Sequence, residues 1–259
     1  MPAKASGRDS RPLRLNVMRH EMNIRNPHPK TMAVLKRGIF LLALIPLLKL
    51  IGLGVLGELG ANPIEKITRT TGYWTLTLLL VTLAVTPLRR LSGWPWPGRF
   101  RRMLGLFAFF YGCLHFLSYL VLDQFFDWPA IIKDIAKRPY ITVGFAAYLL
   151  LFPLALTSTD GMIRRLGGKR WRALHRLVYP IAVAGVLHFW WLVKKDISRP
   201  GVFAAILIVL LGFRLLWAVR MPGGGTSNRK AVDAERFDSK RRPPYRQVSE
   251  GNAHSETLP

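Results

Sequence analysis

The fold is decided by two stretches of sequence: RRMLGLFAFFYGCLHFLSYLVL at residues 101–122 and HRLVYPIAVAGVLHFWWLV at residues 175–193. Each is an apolar run of about 20 residues, the length that an α-helix needs to cross ~30 Å of hydrocarbon. Three of the six histidines, His115, His175 and His188, lie in these two runs. An ionisable side chain inside a membrane span is costly and marks a functional site by default. We therefore predict a functional site between these two helices.

Further apolar runs along the chain predict an all-α integral membrane protein with six transmembrane helices. The predicted spans are residues 38–56, 72–86, 102–122, 140–156, 175–193 and 202–219. Polar and basic composition predicts a disordered cytoplasmic arm at 1–36 and a disordered cytoplasmic tail at 221–259, on either side of a transmembrane domain at 37–220.

Basic residues outnumber acidic ones by 38 to 14, which gives a net charge of +24. Such a charge can indicate nucleic-acid binding. Here the basic residues flank apolar spans, so membrane topology and the anionic lipid of the inner leaflet explain them better. They are concentrated in the second and fourth loops, as Arg89, Arg90, Arg99, Arg101 and Arg102, and as Arg164, Arg165, Lys169, Arg170 and Arg172. The positive-inside rule therefore predicts that both termini are cytoplasmic.

Counting from the cytoplasmic ends places the three histidines at two depths. His115 lies 14 residues after Arg101, a rise of ~21 Å, and His188 lies 13 residues after His175, a rise of ~20 Å. We expect His115 and His188 to share a level in the outer half of the membrane, and His175 and Arg101 to share one near the inner face. An ideal helix would turn His175 and His188 ~140° apart, so we expect a kink at Pro180 to realign them.

Histidines at matching depths on two helices favour a haem held between two imidazoles, and hence a membrane electron-transfer cytochrome. Because Cys113 is the only cysteine and no Cys-x-x-Cys-His motif exists, the haem would be held noncovalently, as b-type haem. The alternatives are histidines that only join packed helices, or a cofactor-free transporter. A transporter that relays protons usually has intramembrane carboxylates, and spans three to six lack them. A self-sufficient reductase of ferric iron or another acceptor would need a nucleotide-binding module, and neither tail has a GxGxxG unit.

Four segments together resemble one known family. They are TLAVTPLRR at residues 82–90, RRMLGL at 101–106, PLALTST at 153–159 and LHRLVY at 174–179. They are similar to the haem-binding membrane subunit of the bacterial periplasmic protein-methionine-sulfoxide reductase system, the MsrQ/YedZ family of the ferric-reductase-like transmembrane superfamily. The likeness covers roughly residues 58–194.

The resemblance implies a ferric-reductase-like bundle that holds one or two b-type haems through His115, His175 and His188. Arg101 occupies the inner position where the wider superfamily has a fourth histidine. We expect it to pair with a haem propionate, a flavin phosphate or a lipid phosphate, because an arginine stays protonated and is not a plausible iron ligand.

The resemblance also implies FMN and a defined electron path. Electrons would come from the quinone pool or a cytoplasmic flavin reductase, and would pass to a periplasmic molybdopterin subunit that reduces methionine sulfoxide and so repairs oxidised proteins. The chain would then be an electron-transfer subunit of the bacterial inner membrane, with catalysis on a separate chain.

Overall fold

The structure, a computed structural model, describes residues 27–193 and 196–220, and most of them are helical. Within these residues there are eight α-helices and no strand: α1 Pro29–Val55, α2 Pro63–Ser92, α3 Arg101–Leu117, α4 Trp128–Lys137, α5 Pro139–Leu156, α6 Asp160–Leu174, α7 Val178–Leu192 and α8 Ser198–Arg220. Short 3-10 helices at Trp96–Phe100 and His175–Leu177 precede α3 and α7, and a π-helix at Ser118–Asp123 follows α3.

Six helical segments of the described residues are long and apolar enough to cross a membrane. They are Pro29–Val55, Pro63–Ser92, Trp96–Asp123, Pro139–Leu156, Asp160–Leu192 and Ser198–Arg220. Large apolar side chains cover the outside of the bundle; Leu42 is 65% exposed and Ile208 70% exposed. An apolar exterior suits lipid rather than water. The predicted fold class, an all-α membrane protein with six transmembrane helices, is confirmed.

The first helix begins earlier than predicted, because residues 29–36 of the predicted arm are helical. Pro29 stands at the start of α1, where a proline is favoured, and the His28 side chain accepts a hydrogen bond from the backbone N–H of Lys30. Met32 is already part of the buried core. The remainder of the predicted arm, 1–26, and the predicted tail, 221–259, lie outside the described residues.

The predicted end of the second span at Pro87 is wrong. Helix α2 continues through Pro87 to Ser92 and ends at Gly93, whose φ of 68° is the left-handed conformation that commonly closes a helix. Proline is tolerated inside a membrane helix because neighbouring groups satisfy the backbone atoms that it frees.

The predicted basic loop at 164–172 is also wrong, since these residues lie in α6. The segment bends at Gly167, with φ 73°, so the helical direction changes without an extended loop. The irregular turn before α7 lies at His175–Leu177 rather than at Pro180, which stands in the first turn of α7. A proline in a first turn breaks no helical hydrogen bond.

The core lies where α2 and α3 pack together and where α5 and α7 pack together, with α3 also contacting α5 and α2 contacting α7. Leu83, Ala108 and Ala182 are fully buried there. These contacts lie in a first compact unit that ends at Arg214; the described part of the second unit is residues 215–220.

Helix α1 is joined to this core by two hydrogen bonds between the Tyr111 side chain and the backbone of α1. The Tyr111 hydroxyl accepts from the backbone N–H of Leu47 at 3.2 Å and donates to the carbonyl oxygen of Ala43 at 2.8 Å. Those two backbone groups are i and i−4 partners in a regular helix. The hydroxyl therefore stands between them, next to Pro46, which interrupts α1 at the same turn.

Candidate functional site

The structure brings His115 of α3 and His188 of α7 together. Their ring centroids lie 6.1 Å apart, and the ring planes are inclined by 73°. Both side chains line one cavity of about 900 Å³. The level that counting along the two helices assigned to both residues is therefore the level at which the two rings meet.

Each of these histidines makes one hydrogen bond to a backbone carbonyl of a neighbouring helix. Nδ1 of His115 lies 2.9 Å from the carbonyl oxygen of Thr68 in α2, and Nδ1 of His188 lies 2.6 Å from that of Tyr140 in α5. A carbonyl oxygen only accepts, so Nδ1 must carry the hydrogen in both neutral rings. The Nε2 atoms then keep their lone pairs. Two such nitrogens in one cavity can ligate one metal ion from two sides.

Apolar and aromatic side chains form the inner wall of the cavity. The Phe116 and Tyr148 rings stack with centroids 4.9 Å apart, and Phe145 adjoins Phe116 at 5.8 Å. This apolar and aromatic part of the cavity suits a large, mostly apolar cofactor.

Charged residues of both signs line one end of the cavity: Glu65, Lys66, Arg69, Asp123, Arg138, Asp196 and Arg199. All lie in or beside the connections α1–α2, α3–α5 and α7–α8, which share one side of the bundle because the helices alternate in direction. Asp196 accepts hydrogen bonds from the backbone N–H and hydroxyl of Ser198, which hold the pKa of its carboxyl below its usual range. The cavity therefore meets the surface on the side opposite the two strongly basic segments, residues 89–102 and 164–172.

His175 is not part of this pair. Its Nε2 lies 3.1 Å from the hydroxyl of Thr157, and its ring stacks on Trp171 with a centroid distance of 3.9 Å. The Thr157 hydroxyl also lies 2.7 Å from the carbonyl oxygen of Pro153, and its single hydrogen goes to that carbonyl or to His175 according to the tautomer of the ring. In His175 it is Nε2 that bonds to a neighbouring group, whereas in the pair it is Nδ1.

Arg101 lies close enough to His175 to interact with it electrostatically. It also interacts with Arg214, Tyr179 and Arg89. The Arg214 guanidinium donates to the Tyr179 hydroxyl at 2.5 Å and to the carbonyl oxygen of Leu83 at 2.7 Å. The structure thus groups His175 with Arg101, apart from the cavity that His115 and His188 line.

Sequence reasoning missed the backbone carbonyls of Thr68 and Tyr140, and two glycines beside the rings, Gly72 and Gly144. Carbonyls carry no sequence signal. Glycine inside an apolar helix is a weak signal, since it costs ~1 kcal/mol relative to alanine and suggests a packing or functional reason. Each glycine follows its carbonyl residue by four positions, but the sequence does not show that a histidine of another helix lies against both.

Comparison with known proteins gives one consistent result. The family described as ferric reductase like transmembrane component matches residues 71–186. The protein-methionine-sulfoxide reductase heme-binding subunit MsrQ of Herminiimonas arsenicoxydans is 56% identical over 195 residues, which cover 74% of this chain and 89% of the relative. The same subunit of Ralstonia nicotianae is 55% identical, with 74% and 89% covered. That of Rhodospirillum rubrum is 62% identical, with 72% and 90% covered. At this identity and coverage, the chain belongs to the MsrQ family of ferric-reductase-like transmembrane proteins.

Proposed function

We propose that this chain is the haem-binding electron-transfer subunit of a protein-methionine-sulfoxide reductase system, and that His115 and His188 ligate the iron of one haem b. The observation that carries the proposal is the pair of imidazoles in one cavity, each with its Nδ1 hydrogen bound to a carbonyl. The relatives support it, because their name describes a heme-binding subunit.

The residues present fit a haem in three respects. Metal–imidazole nitrogen bonds are about 2 Å long, so two such bonds and the half-widths of two rings require centroids about 6 Å apart; the observed distance is 6.1 Å. The tautomer leaves Nε2 of each ring for the iron. The aromatic side chains of Phe116 and Tyr148 supply apolar surface for a porphyrin. When bound, haem b supplies one-electron exchange between ferric and ferrous iron.

We assign His175 and Arg101 to a separate position near the inner face, for a second haem or for FMN. Because Nε2 of His175 is hydrogen-bonded to the Thr157 hydroxyl, any ligation of iron there uses Nδ1 or requires that bond to break. Arg101 supplies a fixed positive charge for a propionate or a phosphate.

We place both termini in the cytoplasm of a bacterial inner membrane, with the cavity opening to the periplasm. The contrast between the basic segments 89–102 and 164–172 on one side and the mixed charges at the cavity mouth on the other supports this orientation. Electrons would enter from the quinone pool or a cytoplasmic flavin reductase and leave at the level of His115 and His188. A periplasmic molybdopterin subunit would take them and reduce methionine sulfoxide, so catalysis would belong to that separate chain.

Two measurements test the proposal. Protein purified from cells supplied with haem should show the Soret band and the sharp reduced bands of low-spin haem b; pure, folded protein without a Soret band would refute haem binding. Reporter fusions at Pro259 should be active only with a cytoplasmic reporter. An active periplasmic reporter there would reverse the orientation and, with it, the direction of electron transfer.

A further inference from the structure

The two histidines of the cavity are held in the same way by two different helix pairs. His115 of α3 contacts α2 at the carbonyl of Thr68, and Gly72 follows four residues later. His188 of α7 contacts α5 at the carbonyl of Tyr140, and Gly144 again follows four residues later. The same arrangement thus occurs twice, at the i and i+4 positions of a helix that faces the histidine.

The spacing has a physical reason. In an α-helix the Cα–Cβ bond tilts toward the N-terminus, so a side chain covers the turn that precedes its own Cα. The residue at i+4 therefore covers the carbonyl of residue i from the side. A glycine at i+4 leaves that carbonyl open to a group on another helix, and the second lone pair of the oxygen can accept a further hydrogen bond.

The distances show how closely each ring uses this opening. A Cβ at position 72 would lie 2.9 Å from Cε1 and 3.0 Å from Nδ1 of His115. A Cβ at position 144 would lie 2.6 Å from Nδ1 and 2.9 Å from Cε1 of His188. Real Cβ atoms do not approach other atoms this closely, so an added methyl group would move each ring away from its carbonyl.

We propose that Gly72 and Gly144 are positioning residues for the haem ligands, an inference that rests on the proposed function. Each glycine opens a backbone carbonyl that binds the Nδ1 hydrogen of the opposite histidine, fixes its tautomer and directs the Nε2 lone pair to the iron. Partners of this kind, which orient a metal ligand without touching the metal, typically change metal affinity by roughly 10–100-fold when they are lost.

The test compares Gly72→Ala and Gly144→Ala with Gly105→Ala as a matched control. Gly105 lies in α3, and a Cβ there would meet only the Thr82 methyl group at 3.8 Å, an ordinary contact. The measurements are the haem-to-protein ratio, the low-spin and high-spin signals in electron paramagnetic resonance, the midpoint potential, and helix content by circular dichroism. Each of the two variants should convert low-spin to high-spin haem or weaken haem binding roughly 10–100-fold, while Gly105→Ala stays like wild type.

The outcomes separate this inference from the proposed function. If the wild type itself lacks low-spin haem, the proposed function fails. If the wild type has it and both variants keep its spectrum, haem content and potential, the positioning role is refuted. Loss of haem with unchanged helix content and unchanged size in gel filtration supports the role. If haem is lost and helix content or solubility falls as well, the glycines serve general helix packing, and the positioning role is refuted.

Discussion

Removal of one hydroxyl group, in Tyr111→Phe, should destabilise the protein measurably. Tyr111 is only 1% exposed, and its hydroxyl joins α3 to the turn of α1 that Pro46 interrupts. Phenylalanine keeps the ring and its packing, so the change isolates the hydrogen bonds to the backbone N–H of Leu47 and the carbonyl of Ala43.

The size of this loss of stability depends on whether the backbone N–H of Leu47 and the carbonyl of Ala43 can bond to each other once the hydroxyl is gone. If the N–H of Leu47 re-forms its bond to the carbonyl of Ala43, only the link between the helices is lost. Such links within membranes are worth about 0.6 kcal/mol on average and up to ~1.7. If Pro46, the residue before Leu47, keeps the two groups apart, a buried donor and a buried acceptor stay unpaired at about 1–3 kcal/mol each. We expect a loss of about 2 kcal/mol, because Pro46 favours the open turn but some closure offsets the cost.

The assay is reversible unfolding in mixed micelles, followed by circular dichroism, for Tyr111→Phe and for the control Tyr73→Phe. Tyr73 is 41% exposed, and its hydroxyl makes no hydrogen bond within the described residues. The control should stay within ~0.5 kcal/mol of wild type, as surface changes usually do. If Tyr111→Phe is as stable as Tyr73→Phe, the hydroxyl does not stabilise the junction between α1 and α3, and the reasoning is refuted.

Two further changes should have contrasting effects on the same unfolding assay. The Arg214 guanidinium bonds the Tyr179 hydroxyl and the carbonyl of Leu83, and it lies 5.1 Å from the centre of the Tyr179 ring. We therefore expect Arg214→Leu to lower the free energy of unfolding by roughly 2–4 kcal/mol, and Arg214→Lys to recover only part of that loss. A stable Arg214→Leu variant would contradict this. Asp160→Asn breaks the 2.6 Å ion pair with Arg102, but both side chains are exposed to solvent, so we expect no measurable change in stability; a measurable loss would show that solvent screens this pair less than its exposure indicates.

Much of the bundle follows from the sequence because the bilayer sets a length. Apolar runs near 20 residues predict spans whatever their contacts are, and the rise of 1.5 Å per residue predicts depth. That is why the common level of His115 and His188 could be obtained by counting along two helices. Helix ends were less predictable. Pro87 looks like a stop in isolation, yet α2 continues past it because the surrounding bundle supports the backbone.

The rest of the site depends on rotation and on backbone atoms, which a sequence does not display. Which carbonyl meets Nδ1 of a histidine is decided by how α2 and α5 turn toward α3 and α7. That His175 meets its partner through Nε2 rather than Nδ1 depends on where the Thr157 hydroxyl lies, a property of the local turn. Residue type alone made the three histidines look equivalent, while their surroundings divide them into a pair and a separate residue.

The most direct test of the account is a set of redox difference spectra, with haem-to-protein ratios, for His115→Ala, His188→Ala and His175→Ala. We expect that His115→Ala and His188→Ala each abolish the same low-spin component, because the two rings lie 6.1 Å apart in one cavity. His175→Ala should keep that component and slow only its reduction from the inner side, because its ring is bound to Thr157 and stacked on Trp171 outside the cavity. If His175→Ala removes the component that His188→Ala removes, the pairing of His115 with His188 is contradicted and the ligand set must be a different one.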